Sequence, residues 1–337
     1  MRYFSFIKIH IVIIILAGSL SSCEHKGQYV TYTGNTQGTY YLVTYQSPKN
    51  VSYEADIKQL LDDFSAALST YDPSSLISRI NQNDPTAVVN DLFRTVFNKA
   101  VEVNKASNGV FDITIAPIVN FWGFGFTDEK PEINTQKIDS LLQYVGMNKI
   151  RIVGDRVVKD LPQILLDVNA IAKGYSVDVI ADFLLSKGVK NFLVNIGGEC
   201  VARGVNPDGI IWKLGVEKPI DGARYGETQQ AIIFLNNRAM ATSANSQRFV
   251  VIDGVKYAHT IDVKTGFPVA HNLLSATVIA DDCMTADAWA TVFMASGFEK
   301  TIEFLQMHPE FEALLIYSDE NGDFRTYTTR GLDAVIF

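Results

Sequence analysis

Residues 163–198 read QILLDVNAIAKGYSVDVIADFLLSKGVKNFLVNIGG, and this stretch decides the fold class. It predicts an apolar strand at residues 163–168, a helix at residues 170–185 and a buried strand at residues 192–196. The Gly197-Gly198 pair that follows the last strand lacks the third glycine and the later acid of a dinucleotide-binding fingerprint. A Rossmann domain is therefore excluded.

Helices and strands continue on both sides of this stretch without a regular alternation. Helical spacing of apolar residues predicts helices at residues 57–68, 92–107 and 285–296. Strand-like runs occur at residues 39–45, 211–216, 231–235, 249–252, 275–279 and 314–317. This irregular order favours an α+β fold, with mixed or antiparallel sheets and packed helices, over a doubly wound sheet. The sequence shows no repeat or proline-rich linker inside residues 31–337, so we predict a single domain there.

The first 22 residues have the layout of an export signal. Two basic residues come first, residues 9–17 are apolar apart from one histidine, and Leu20-Ser21-Ser22-Cys23 follows. The apolar run is too short to span a bilayer comfortably. The small residues before Cys23 favour a bacterial lipoprotein signal over the alternative, a simple membrane anchor. We expect lipidation of Cys23, a tether at residues 23–30, and an exported protein that is lipid-anchored to the bacterial membrane and faces the periplasm.

The charge balance restricts the kinds of partner. The chain has 29 Lys and Arg residues against 37 Asp and Glu residues, and removal of residues 1–22 leaves 27 basic residues against 37 acidic ones. A chain this acidic has no field to hold a phosphate backbone, so we expect no nucleic-acid partner. A phosphate ligand would need a metal, a lysine or a helix terminus. Cys200 and Cys283 form either a disulfide or two buried thiols.

Asp287 and Thr291 form the first candidate site. They are four residues apart in the predicted helix at residues 285–296, which puts the carboxylate and the hydroxyl on the same face. Two neighbouring oxygen donors suit Mg²⁺, which takes few protein ligands together with phosphate and water. The alternative is an acid that is favoured in a first helical turn by the helix dipole alone.

Asp167 and Lys173 form the second candidate site. Asp167 stands at the end of the predicted strand at residues 163–168, and Lys173 follows in the first turns of the next helix. The free N–H groups of a helix start and a nearby ammonium group make an anion site. A lysine this early in a helix is slightly unfavourable with the dipole, so a ligand or an acid should offset it. The alternative is a solvated lysine on an amphipathic helix.

His259 is the third candidate. It lies close to Asp262, just before the Gly266-Phe267-Pro268 turn, and the pair suggests an acid–base group. The alternative is a histidine that only hydrogen-bonds the turn. Ser243 would complete a hydrolase triad on paper, but a Gly-x-Ser-x-Gly elbow is absent from the sequence.

Residues 121–126, FWGFGF, contain four aromatic side chains in six positions. They could form a wall for a flat ring system or a corner of the core, and the core is the default for such residues.

Taken in order, these segments resemble the ApbE family, the FAD:protein FMN transferases, from about Gly34 to Tyr317. The segments that carry the resemblance are Thr36-Gln37-Gly38-Thr39 and residues 69–81, 109–122, 167–174, 194–199, 259–266 and 287–291. The resemblance implies an ApbE-like fold and an exported, Mg²⁺-dependent enzyme. Such an enzyme cleaves the pyrophosphate of FAD, passes FMN to a Thr or Ser hydroxyl of an exported or membrane flavoprotein, and releases AMP.

The resemblance also implies roles for individual residues. By position, Asp287, Thr291 and the backbone carbonyl of Ala170 correspond to the metal ligands of the family. His259 corresponds to the histidine proposed to activate the acceptor hydroxyl. The positions that correspond to FAD contacts are Gln37, Tyr71, Val110, Phe111, Asp112, Asp167, Lys173 and Ile261.

Two residues depart from the family pattern. Gln37 stands where the family usually has Met, and Ala244 stands where it often has Gly. If position 244 needed a positive φ, alanine would cost about 1 kcal/mol there. Two other functions remain open at this point: an FAD pyrophosphatase, in which water replaces the protein hydroxyl, and a tethered lipoprotein that binds FAD without chemistry.

Overall fold

The computed structural model describes residues 27–48, 50–127, 133–220, 227–245 and 249–337. The predicted signal at residues 1–22, Cys23 and the first part of the predicted tether lie outside these ranges. In the part of the chain that is described, no helix is long and apolar enough to cross a membrane.

The regular elements of the described ranges are as follows. The helices are α1 (Glu54–Leu68), α2 (Leu76–Asn81), α3 (Asp91–Ala106), α4 (Ala116–Phe121), α5 (Thr135–Leu142), α6 (Asn169–Ser186), α7 (Cys283–Ser296) and α8 (Phe298–Met307). The strands are β1 (Tyr29–Thr36), β2 (Thr39–Gln46), β3 (Ile150–Val153), β4 (Arg156–Lys159), β5 (Phe192–Ile196), β6 (Glu199–Arg203), β7 (Trp212–Glu217), β8 (Gln229–Leu235), β9 (Ala239–Ala244), β10 (Phe249–Ile252), β11 (Val255–Ala258), β12 (Leu273–Ala280), β13 (Glu312–Ser318), β14 (Phe324–Thr328) and β15 (Ala334–Ile336). Short 3₁₀ helices occur at Ile113–Ile115 and Met147–Lys149.

A large antiparallel sheet organises these elements. Its strand order among the described residues is β1-β2-β5-β6-β9-β12-β13-β14, and each neighbouring pair is antiparallel. A smaller sheet has the order β15-β8-β7, and β3-β4 and β10-β11 are separate hairpins. Helices occur together with antiparallel sheets, so the predicted α+β fold is confirmed.

The large sheet is covered on both faces. Along β5, Val194 packs with Ile180 of α6, whereas the adjacent Leu193 packs with Trp212 and Ile233 of the smaller sheet. Successive side chains of a strand point to opposite faces, so one face of the sheet meets the helices and the other meets the second sheet. The layers are therefore helices, large sheet and small sheet.

Most of the predicted elements are present. The predicted helices correspond to α1, α3, α6 and α7, and the predicted strands outside residues 163–168 correspond to β2, β5, β7, β8, β10, β12 and β13. Asn108 and Gly109 follow α3 with φ values of 53° and 81°, the left-handed conformation expected after a helix end. β1 begins at Tyr29, inside the segment predicted as a tether.

The prediction of a strand at residues 163–168 is wrong. These residues pair with no strand in the described part of the chain; instead, the side chain of Asn81 takes the place of a neighbouring strand. Asn81 Nδ2 donates to the Leu166 carbonyl at 2.9 Å, and the Leu166 N–H donates to Asn81 Oδ1 at 2.7 Å. Ile164, Leu166 and Val168 are buried, which explains the strand-like pattern. Asn81 therefore fixes the backbone just before Asp167.

We expect Asn81→Leu to lower the free energy of unfolding by about 2 to 4 kcal/mol, because it leaves two buried backbone groups of Leu166 without partners. Urea denaturation followed by circular dichroism measures this change. The control is Gln82→Ala, which alters an exposed side chain on the same turn and should change stability by less than about 0.5 kcal/mol. Equal losses in the two variants would contradict the role given to Asn81.

Candidate active site

A cavity of about 590 Å³ lies where α6 and α7 meet the β5–β6 turn, the end of β7 and the loop after β11. Its volume is within the range of about 300–1,000 Å³ that is usual for small-molecule sites. Most of the predicted site residues line it: Val110, Phe111, Asp112, Asp167, Ala170, Lys173, His259, Ile261, Asp287 and Thr291. The fold therefore brings together residues that are far apart in the sequence.

Two predicted site residues do not line this cavity. Gln37 occupies the two-residue turn between β1 and β2 with φ 50°, and its Nε2 atom is buried without a hydrogen-bond partner. Tyr71 lies in the loop between α1 and α2, and 58% of it is exposed. Cys23, the predicted lipidation site, lies outside the described residues.

Asp287 and Thr291 lie one turn apart on α7, and both line the cavity. Asp287 is only 4% exposed, and its Oδ2 accepts a hydrogen bond from the Gly174 N–H of α6 at 2.9 Å. Thr291 Oγ1 lies 3.3 Å from Ser243 Oγ of β9. The predicted pairing of a carboxylate and a hydroxyl on one helical face is therefore present, and contacts from α6 and β9 orient it.

Gly174 allows α6 and α7 to approach each other closely. A Cβ atom at this position would lie 2.3 Å from the Cys283 carbonyl oxygen and 2.7 Å from Asp287 Cβ. In a regular helix the Gly174 N–H would bond the Ala170 carbonyl four residues earlier. In this structure it also donates to Asp287 Oδ2 at 2.9 Å. The Ala170 carbonyl has two lone pairs, so it can accept a ligand in addition to a hydrogen bond.

The ammonium of Lys173 lies between buried carboxylates. Lys173 Nζ is 2.5 Å from Glu199 Oε1, and the charge of Asp287 also acts on it. Glu199 is 2% exposed, and its Oε2 is buried without a hydrogen-bond partner. These acids offset the unfavourable position of a lysine near the start of α6, as the sequence led us to expect. Lys173 is therefore ion-paired, while 34% of its side chain stays exposed.

Burial sets the protonation behaviour of this cluster. Burial raises the pKa of Asp287, against the opposing effects of the Lys173 charge and the Gly174 N–H. Burial also raises the pKa of Glu199, against the attraction of Lys173. Burial alone would lower the pKa of Lys173, but the carboxylates of Glu199 and Asp287 outweigh it and raise this pKa. One ammonium group therefore lies beside two buried acids, and an added cation would favour their ionised forms.

The donor set fits a hard cation. Within the described ranges no group of three or more His, Cys, Asp and Glu side chains could hold a metal ion. Mg²⁺ does not require such a group, because it commonly takes one or two carboxylates and completes its shell with water and substrate phosphates. The Asp287 carboxylate, the Thr291 hydroxyl and the Ala170 carbonyl are oxygen donors of this kind, and all three residues line the cavity.

Glu199 has no counterpart among the site residues predicted from the sequence. It follows the Gly197-Gly198 turn and is the first residue of β6, whose next three residues are buried and mostly apolar. An acid at the start of a buried strand is the feature of the sequence that could have indicated Glu199 as a site residue. Its partner Lys173 is 26 residues away, and only the packing of α6 on the sheet brings the two together.

His259 lines the cavity directly after β11. Its ring makes an edge contact with Phe124, with centroids 6.3 Å apart. The Asp262 carboxylate accepts from the Lys264 N–H at 2.7 Å, so it stabilises its own turn. Ser243 Oγ contacts Thr291, as described above, and this arrangement gives no support to a Ser243-His259-Asp262 triad.

Two carboxylates of the cavity wall have structural partners. Asp112 Oδ1 accepts from the N–H and the hydroxyl of Thr114, and its Oδ2 accepts from the Met147 N–H. Burial raises the pKa of Asp112, and these hydrogen bonds oppose that shift. Asp167 Oδ1 accepts from the Asn169 N–H at the start of α6. Both acids therefore hold the backbone around the cavity in place.

The aromatic residues at positions 121–126 belong mainly to the core. Phe121, Trp122 and Phe124 are buried in one cluster with Ile261, and Phe124 also lines the cavity. Trp122 Nε1 donates to the Gly266 carbonyl at 2.8 Å. This hydrogen bond ties α4 to the turn that follows His259.

The structure determines the conformation at Ala244 and the state of the two cysteines. Ala244 lies in β9, paired with Ser275, in an extended conformation that any residue adopts, so alanine has no penalty from positive φ. Cys200 and Cys283 are both buried free thiols rather than a disulfide.

The chain is similar to known proteins of one family. The model of the ApbE family matches residues 37–315. A protein from Vibrio cholerae serotype O1 named FAD:protein FMN transferase is 34% identical over 319 residues, which cover 92% of this chain and 93% of that protein. A Haemophilus influenzae protein of the same name is 34% identical and covers 93% of each chain.

Solved structures with the same fold include two flavin transferases. The flavin transferase ApbE from Vibrio cholerae superposes with a TM-score of 0.80 at 33% identity, covering 90% of this chain and 97% of that one. The apo form of the Pseudomonas stutzeri flavinyl transferase ApbE gives a TM-score of 0.79 at 29% identity, covering 90% and 96%.

The close approach of α6 and α7 predicts that Gly174→Ala lowers the free energy of unfolding by about 1 to 3 kcal/mol, because the new methyl group meets backbone and Asp287. Urea denaturation measures the loss. The control is Gly331→Ala, where a Cβ would come no closer than 3.5 Å to the Glu312 side chain. If Gly174→Ala is as stable as the control, the close contact between α6 and α7 at Gly174 is contradicted.

Proposed function

This chain belongs to the ApbE family, and from that premise we propose that it is a Mg²⁺-dependent transferase that moves FMN from FAD to a Thr or Ser hydroxyl of an exported flavoprotein. AMP is the second product. The relatives named FAD:protein FMN transferase, which align with about nine-tenths of this chain, support the flavin transfer. The Mg²⁺ dependence and the Thr or Ser acceptor are part of the proposal.

One observation carries the proposal: the buried acids Asp287 and Glu199 share the ammonium of Lys173 beside a cavity large enough for part of a dinucleotide. Asp287 and Glu199 face the single ammonium of Lys173, and Asp167 lines the same cavity. Without a cation these acids would repel a diphosphate. Asp287, Thr291 and the Ala170 carbonyl would hold Mg²⁺ at this position. A bound Mg²⁺ supplies charge neutralisation and orientation at the phosphoryl oxygens.

Other residues of the cavity would bind the phosphate and the rings of FAD. Lys173 lies beside the proposed metal ligands, where its ammonium can bind a phosphate oxygen while Glu199 fixes its position. The apolar residues Val110, Phe111 and Ile261 line the cavity and offer contacts to the flat rings of FAD. Binding energy from these distant rings holds the diphosphate in the orientation for attack.

In the transfer step the acceptor hydroxyl oxygen forms a bond to the FMN phosphorus, and the bond from that phosphorus to the bridging oxygen of AMP breaks. The bond electrons and the negative charge leave with AMP. His259, which lines the cavity, takes the proton of the hydroxyl. If water replaces the acceptor, the same step yields free FMN, which is the pyrophosphatase reaction.

The predicted signal and Cys23 place this reaction outside the cytoplasm in our proposal. A lipid chain on Cys23 would hold the domain at the membrane, where membrane flavoproteins are available as acceptors. The tether between Cys23 and β1 is only a few residues long, so the domain would stay close to the bilayer surface.

We expect Asp287→Ala to reduce transfer by at least about 100-fold, because the cation loses its charged ligand in a site that must neutralise a diphosphate. The assay combines the purified protein, FAD, Mg²⁺ and a peptide with a single threonine. Mass spectrometry detects the covalent FMN adduct, and chromatography quantifies AMP and free FMN.

The control for this variant is Asp281→Ala, which removes an aspartate whose side chain is 94% exposed, six positions earlier in the chain. It should retain wild-type transfer. The proposal fails if Asp287→Ala transfers FMN as fast as wild type, or if the wild-type protein forms AMP and free FMN but no adduct.

We also expect Cys23→Ser to move the protein from the membrane fraction to the soluble fraction of the cell envelope, because the thiol that would carry the lipid is lost. Fractionation and immunoblotting measure the distribution, and metabolic labelling with a fatty acid detects the lipid. Cys200→Ser is the control, since this thiol is buried in the folded domain. An unchanged membrane fraction of Cys23→Ser would contradict the lipid anchor.

A further inference from the structure

Asp178 of α6 binds the start of α7. Its Oδ1 accepts from the Cys283 N–H at 2.8 Å, and its Oδ2 accepts from the Met284 N–H at 2.8 Å. These are the first two N–H groups of α7, which have no acceptor within their own helix. One carboxyl group on α6 therefore satisfies two consecutive donors of α7.

α7 also has a capping residue of its own. Asp282 Oδ1 accepts from the Thr285 N–H at 2.7 Å, and Asp282 Oδ2 accepts from the Thr285 hydroxyl at 2.8 Å. This local cap stabilises the helix end wherever α7 lies. The two hydrogen bonds that Asp178 accepts differ from this local cap, because they connect α7 to α6. They fix both the distance and the rotation between the helices.

The same two helices carry the candidate metal ligands. Ala170 lies on α6, and Asp287 and Thr291 lie on α7. The helices touch at Gly174 and are hydrogen-bonded at Asp178, two positions that are four residues, or about 6 Å, apart along α6. Two fixed contacts one turn apart define how far α7 can slide along α6.

We propose that Asp178 is a positioning residue for the metal site. It sets the axial position of α7 against α6, so that the oxygens of Asp287 and Thr291 face the Ala170 carbonyl. The inference rests on the proposed function, because it concerns the Mg²⁺ site of that reaction. Mg²⁺ demands nearly ideal octahedral geometry at about 2.0–2.1 Å, so a small slide of α7 weakens binding of the ion. Asp178 itself contacts neither ion nor substrate.

The test measures Mg²⁺ binding apart from catalysis. Flavin fluorescence follows FAD binding to the full-length protein as Mg²⁺ is added, without an acceptor. We expect Asp178→Ala to raise the half-saturating Mg²⁺ concentration about 10-fold, at the lower end of the range for residues that support metal ligands. Asp178→Asn should give a smaller rise, because its amide oxygen still accepts one N–H. At saturating Mg²⁺, both variants should regain most of the wild-type transfer rate.

Asp282→Ala is the matched control, since it removes the local cap of the same helix and leaves both hydrogen bonds between Asp178 and α7 in place. It should lower the melting temperature and keep the wild-type Mg²⁺ half-saturation. Asp178→Asn keeps the side-chain volume and one acceptor, so it provides the comparison if Asp178→Ala folds poorly.

The outcomes separate the two proposals. Asp178 variants that lose thermal stability but bind Mg²⁺ like wild type would show a purely structural role and overturn the inference. An equal rise in half-saturation for Asp282→Ala would overturn it as well, because the effect would then come from fraying of α7. Wild-type protein that binds FAD without any response to Mg²⁺ would instead refute the proposed function itself.

Discussion

The site depends on the close contact between α6 and α7 at Gly174. Because this residue has no side chain, the Cys283 carbonyl and Asp287 can lie where a Cβ would otherwise be. The same approach lets the Gly174 N–H donate to Asp287, which orients the carboxylate. A packing constraint and the orientation of a functional group thus have the same cause, and neither helix alone could provide it.

The contact also concentrates charge. Lys173 directly precedes Gly174 and forms an ion pair with Glu199. The approach of α7 therefore brings Asp287 close to the same ammonium group. Buried carboxylates are costly unless they are paired, and here two of them share one cation. The buried and unpartnered Oε2 of Glu199 shows that the protein alone does not satisfy this cluster. An additional cation bound at this point would favour the ionised forms of both acids.

Patterns within single elements could be predicted from the sequence, and contacts between elements could not. The spacing of Asp287 and Thr291 predicted one helical face, and the spacing of apolar residues predicted α3 and α6. The pairing of Lys173 with Glu199 depends on how α6 packs on the sheet. Residues 163–168 have the apolar pattern of a strand, but their partner is Asn81, 85 positions from Leu166. Composition gives no sign of such a long-range hydrogen bond.

Electrostatics links the two ligands of the proposed reaction. A diphosphate approaching Asp287 and Glu199 is repelled unless a cation is present, and a cation held by one protein carboxylate is bound more tightly when phosphate oxygens complete its shell. Each ligand must therefore increase the affinity of the other by the same factor, since coupling free energies are reciprocal. The acidic composition of the chain strengthens this coupling, because few positive groups in the cavity can replace the ion. In this arrangement Lys173 alone cannot substitute for the metal, since Glu199 already neutralises its charge.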